Sequence, residues 1–208
     1  MKTVKLLTLA ALLALPSALS AQGFANAGID FLGGVAMPNG DFGDDEGDDA
    51  GFATTGFFVG ANMRAGLGAT PFSWISSVSI NSLGADAEEA FGDDADFGRY
   101  WLVPITTGVG YPIAMGTGMS LTPHAQIGVN IAYGPNGEIG DEEFETATSF
   151  SLAFSAGADF MFTPTLGATA RLMNGGGPER EIDAGDAGEG ELETTMTFLQ
   201  LGIVFKFR

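Results

Sequence analysis

Cysteine is missing altogether from this 208-residue chain, and histidine occurs once, as His124. Without cysteine no disulfide can staple the fold, and thiolate-based metal sites are excluded. One histidine and no cysteine leave no ligand set for a structural zinc, so neither a metal nor a cofactor is expected. Basic residues are scarce too: 8 Lys and Arg stand against 26 Asp and Glu, for a net charge of −18. Such a surface repels nucleic acid, whose binding needs Lys and Arg to neutralise phosphates. It also disfavours adsorption onto anionic lipid. Beyond residue 21 there is no run of 18 consecutive apolar residues, so no helical membrane span is expected.

What is present begins with a leader pattern. Lys2 and Lys5 precede an apolar run from Leu6 to Leu15, Pro16 breaks it, and small residues follow at Ser17, Ala18, Ser20 and Ala21. A positive start, a short apolar core and a small-residue exit predict a signal peptide over 1–21, cut after Ser20 or Ala21. The remainder, 22–208, is read as one domain. Its chain carries much of the 32-residue glycine complement inside apolar segments. Interior glycine costs a helix about 1 kcal/mol per residue; strands that curve tolerate it.

The acids are clustered. All except Asp30 and Asp159 fall within Asp41–Asp49, Asp86–Asp96, Glu138–Glu145 and Glu179–Glu193. Each cluster is also rich in Gly, Ala, Asn or Pro, which predicts four loops. Between them lie eight stretches of period-two patterning: Gly28–Met37, Thr54–Leu67, Phe72–Leu83, Arg99–Ile113, Met119–Tyr133, Thr146–Phe162, Leu166–Met173 and Thr194–Phe207. In the sixth, Phe150, Leu152, Phe154, Ala156, Ala158, Phe160 and Phe162 alternate with Ser149, Ser151, Ser155, Gly157 and Asp159. Alternation of this length predicts strands with one apolar and one mixed face. Short turns are expected near Gly68–Pro71, Ala114–Gly118 and Thr163–Thr165, and the acidic loops alternate with them.

The faces decide between a soluble and a membrane barrel. The mixed face is crowded with Gly and Ser and carries Asp30, Arg64, His124, Asp159, Arg171 and Lys206. That composition suits a narrow polar lumen. The other face is nearly free of charge, with Phe72, Trp74, Trp101, Tyr111, Tyr133, Phe162, Phe205 and Phe207 near strand ends. Aromatics at both borders of an apolar band suit a membrane exterior. The expected fold is an all-β, eight-stranded antiparallel up-and-down transmembrane barrel. Its long loops are expected outside the cell and both termini in the periplasm. A soluble lipocalin-like barrel is the alternative.

On these residues the chain resembles the small outer-membrane β-barrel proteins of the OmpA/OmpX-like, porin-like superfamily. The local markers are GVAMPNGDFGDD at Gly34–Asp45, WLVPITTGVGY at Trp101–Tyr111 and FLQLGIVFKF at Phe198–Phe207. The resemblance implies outer-membrane lipid as surroundings and the barrel-insertion machinery as partner during biogenesis. That machinery reads a terminal Phe or Trp in the family; here Phe207 is followed by Arg208.

Three motifs invite sharper readings. The segment Asp41–Asp49 is acidic enough for calcium, but its order does not match the twelve-residue calcium loop. It reads as a solvated charge run, compatible with weak divalent-cation binding. His124 with a serine and a carboxylate could suggest a lipid hydrolase, yet the alternation points it into the lumen, away from lipid. A hydrogen-bonded lumen histidine is expected instead, with no catalytic residues. Asp30, Arg64, Asp159, Arg171 and Lys206 share the inward face, and an eight-stranded barrel has room for little beyond its own side chains. They are expected to form a structural charge network. The function expected is a structural or surface-interaction role without catalysis; the alternative is a low-conductance porin or small-solute carrier.

Overall fold

The computed structural model describes residues 25–44, 51–86, 95–135, 137–139, 142–144, 148–183 and 189–207. The expected leader over 1–21 lies outside them, as do residues 45–49 of the first acidic run and the terminal Arg208. Eight long strands make the barrel: β1 Ala25–Asn39, β2 Ala53–Gly66, β3 Ser73–Ala85, β4 Arg99–Gly110, β5 Ser120–Tyr133, β6 Ser149–Met161, β7 Leu166–Asp183 and β8 Glu189–Phe207. Each pairs antiparallel with the next in chain order. β8 returns to β1, with Ile29 opposite Phe207 and Asn39 opposite Thr197, and closes the sheet. Closure leaves no unpaired edge in the barrel wall, the condition for a sheet to cross a bilayer.

The two ends differ. At one end, here the turn end, β2–β3, β4–β5 and β6–β7 are joined by short connections, and β1 begins and β8 ends there. Phe162 and Thr163 donate to the Leu166 carbonyl at 3.0 and 3.1 Å, closing the β6–β7 turn. Ile113–Ala114 fold back to pair with Ser120 and Leu121 within the β4–β5 connection. At the other end, the loop end, lie the acidic segments.

One expected loop is mostly strand. β7 and β8 continue as a ribbon through Asp183 and from Glu189, well past the expected limits at Met173 and Thr194. Glu179, Glu181 and Asp183 stand opposite Glu193, Glu191 and Glu189. The acids therefore alternate with Arg180, Ile182 and Leu192, a period-two pattern masked by the preceding Gly175–Pro178. A second small sheet at the loop end pairs Ala95–Phe97 with Gly137–Ile139 and that with Glu142–Phe144.

Alternation sorts the side chains as the sequence implies. Outward positions are exposed, with Leu152 at 64% and Ile203 at 63%. Inward positions are buried, among them Asn62, Asn81, Gln126 and Gln200. Tight curvature explains part of the glycine content. Gly34 in β1 and Gly202 in β8 face each other across the closing seam. A Cβ on Gly34 would lie 2.1 Å from the Leu201 carbonyl oxygen, and one on Gly202 would lie 2.4 Å from that of Gly33. The Phe58 ring occupies the inward space beside Gly202.

Candidate functional site

The lumen holds nearly all the buried polar groups among the described residues, and all eight strands contribute to it. Near the turn end Arg64 of β2 donates through Nε to Asp30 of β1 and through Nη2 to Asp159 of β6. Asp159 also receives Arg171 of β7, Nη2 to Oδ1 at 3.4 Å. Both carboxylates are almost fully buried, at 2% and 1% exposure. Two arginines thus converge on one acid, and Arg64 bridges it to the second. Burying such charges is tolerable only when each is paired and hydrogen-bonded.

Asn62 and its neighbours extend the network upward. Arg171 donates through Nη1 to Asn62 Oδ1 at 3.1 Å and through Nε to Thr169 Oγ1 at 3.1 Å. Ser77 donates to Asn62 Oδ1 at 2.8 Å, and Gln126 Nε2 donates to Ser77 Oγ at 2.8 Å. Thr106 donates to Gln126 Oε1 at 3.1 Å. One level higher, Gln200 Nε2 donates to Asn81 Oδ1 and to Ser79 Oγ, the latter at 3.1 Å. Asn81 in turn donates to the Leu102 carbonyl at 3.1 Å.

Of the five residues singled out from the sequence, the structure joins Asp30, Arg64, Asp159 and Arg171 directly. Lys206 stands opposite Asp30 in the β1–β8 register and lines a recess at the turn end. That recess, of about 700 Å³, is also lined by Gly28, Asp30, Arg64 and Ser73.

His124 departs from its expected hydrogen-bonded state. Its Nε2 lies 3.7 Å from Asp159 Oδ2, beyond hydrogen-bond distance, and neither ring nitrogen has a protein hydrogen-bond partner among the described residues. Among the described residues no hydroxyl is hydrogen-bonded to His124, the pairing from which a triad is built. No group of three His, Asp or Glu side chains among the described residues is placed to hold a metal ion.

The sequence reading missed the upper half of the lumen, which is apolar. Phe58, Leu83, Tyr100, Leu102, Met173, Met196 and Phe198 are buried together. Phe42, from the 3-10 turn Gly40–Phe42 beyond β1, belongs to the same cluster. Its ring meets Tyr100 edge-on at 5.2 Å between centroids. The Tyr100 hydroxyl donates to the Gly51 carbonyl at 2.7 Å, and the Gly51 amide donates to the Asp41 carbonyl at 2.7 Å, so Gly51 and Asp41 are tied to the start of β4. The signal was available in β8: Met196 and Phe198 have the same parity as inward Gln200. Phe42, in a non-repetitive segment, gave none.

Comparison with known proteins bears on this architecture. The family model of the outer membrane protein beta-barrel domain matches residues 6–207. The chain belongs to this family. Among solved structures it is similar to the N-terminal β-barrel domain of OprF from Pseudomonas aeruginosa: 16% identity, 89% of this chain and 100% of that one, TM-score 0.50. A major outer membrane protein from Thermus thermophilus matches at 13% identity, 88% and 100% coverage, TM-score 0.50. Neisserial surface protein A matches at 13% identity, 89% and 99% coverage, TM-score 0.49. No curated protein matches the sequence. At these identities the solved structures speak for the fold alone. For this outer-membrane barrel, function must be argued from its own surfaces and lumen.

Proposed function

We propose that the protein is a non-conducting outer-membrane barrel with a structural or surface-interaction role, its acidic loops outside the cell and both termini in the periplasm. The observation that carries this is the filled lumen. The Arg64–Asp30–Asp159–Arg171 network blocks the turn half, and the Phe42–Tyr100–Phe198 cluster blocks the loop half. An ion would have to break buried ion pairs and then cross a buried apolar layer. Each step opposes conduction. Catalysis has no support in the lumen, where His124 faces Asp159 without a bonded nucleophile.

A low-conductance pore is the second reading, favoured by the turn-end recess beside Lys206. Planar bilayers separate the two. Refolded protein should give no steady single-channel current at 1 M salt (~3 Å screening length), where long-range charge barriers are suppressed. A reproducible current that changes ion selectivity in Arg64→Ala would replace the proposed reading with the pore.

A further inference from the structure

Among the described strand residues whose side chains are placed, Arg99 at the start of β4 is the one charged residue on the outward face. The alternation fixes its direction: Arg99 and Trp101 are exposed, Tyr100 and Leu102 buried. Its surroundings mark a border. Phe57 of β2 stands opposite Ser82 of β3, Ser82 opposite Trp101 of β4, and Trp101 opposite Tyr133 of β5. Opposed residues share a face, so this row crosses four neighbouring strands on the outer wall. Phe57, Trp101 and Tyr133 are each more than two-fifths exposed. Aromatic rings gather where hydrocarbon meets headgroup. Arg99 lies two residues beyond this row, toward the loops.

The guanidinium is held against the wall by Ser82 and Phe57. Nε donates to Ser82 Oγ at 2.7 Å, and Nη2 donates to the Ser82 carbonyl at 3.2 Å. The Arg99 Cζ sits 5.8 Å from the Phe57 ring centroid, over its face. Ser82 is wholly buried under this arrangement despite its outward direction. The Nη1 edge has no protein acceptor among the described residues. A cation on a lipid-facing wall costs little near the interface and several times more at the midplane. It is tolerated at this level, fixed by a serine and a ring, and presents its planar donors toward the headgroup layer.

We propose that Arg99, with Ser82, Phe57 and Trp101, forms a binding site on the outer wall for the phosphate of a phosphorylated lipid in the leaflet at the loop end. The inference rests on the membrane reading above and adds a ligand class to it. Guanidinium and phosphate are matched in geometry, since two parallel N–H groups can meet two phosphate oxygens. The pinned side chain has already lost much of the rotamer freedom that binding would otherwise cost. Charge complementarity selects a lipid over an acidic protein partner, because the site opens sideways into the membrane border rather than upward into water.

Energy transfer from Trp101 tests the site. The full-length mature protein carrying Trp74→Phe is refolded into phosphatidylcholine vesicles. These contain a small fraction of either a pyrene-labelled phosphatidic acid or the matching pyrene-labelled diacylglycerol. Transfer to the phosphate-bearing lipid should exceed transfer to the neutral one by roughly two- to fivefold, the range of an exposed ion pair. Arg99→Gln should abolish that preference, and Arg99→Lys should keep part of it. Equal transfer to both lipids, or a preference unchanged in Arg99→Gln, overturns the site. Complete displacement by about millimolar inorganic phosphate, a concentration typical of weak ligand binding, overturns the commitment to lipid. Failure to acquire a protease-resistant form in either vesicle overturns the membrane reading itself, a result visible before any transfer is measured.

Discussion

Asp159 is the residue on which the turn half of the lumen depends. It accepts from Arg64 and Arg171, lies 3.7 Å from His124, and is almost fully buried. Removing its charge would leave two guanidinium groups in a confined space with Asp30 as the one close acid among the described residues. Breaking a buried ion pair in this way costs about 3–5 kcal/mol. Asp159→Ala should therefore lower the urea midpoint of the folded barrel strongly. Lys206→Ala, at the half-buried mouth of the recess, should cost no more than about 1 kcal/mol. Equal losses in the two variants would mean that the network is not the structural centre of the lumen. The inward direction of these residues was legible because each falls on the mixed face of a strand. Their partners were not. Asp159 meets Arg64 across 95 positions of sequence, and period-two patterning gives a face but not the barrel's stagger. The unsatisfied nitrogens of His124 were hidden for the same reason.

At the scale of the strand, β6 gives the clearest measure of the outer wall. Phe150, Leu152, Phe154 and Phe162 are all exposed along one face, while Ser155 and Asp159 are buried on the other. If that face meets lipid, a charge must cost more in the middle of the strand than at its end. Phe154→Arg should destabilise the protein in vesicles by about 2–4 kcal/mol, and Phe162→Arg by about 0–1. Folding free energies in vesicles check this, and equal costs would argue against a lipid-facing band. Strand number, order and facing were all readable from such alternation. The length of the β7–β8 ribbon was not. There the register sets acid against acid in three alternate pairs, and like charges directly opposite destabilise a sheet. Composition therefore pointed to a loop, while the backbone continues its ladder from the barrel below.

For the whole molecule, the decisive feature is the separation of apolar surface from charge along one axis. The barrel wall exposes large hydrophobic side chains on every strand, from Ile29 and Phe31 on β1 to Phe205 and Phe207 on β8. A continuous patch of that extent is far beyond what a soluble monomer exposes. The acid-rich segments of the sequence join strands at one rim, and at the other β1 begins at Ala25 and β8 ends at Phe207. Short turns on the periplasmic side and long loops outside is the arrangement that bacterial outer-membrane barrels adopt. It leaves the turn end with few protease-accessible sites. Protease added to intact cells should cut within the acidic loops and leave the strands as membrane-embedded fragments. An epitope tag after Phe207 should stay inaccessible until the outer membrane is permeabilised. The cut fragments should remain in the membrane pellet after carbonate extraction, because the closed ladder still pairs every strand. Labelling of the terminal tag on intact cells would reverse the proposed orientation. Recovery of the uncut protein in the soluble periplasm would remove the lipid that the apolar wall requires, and with it the proposed role.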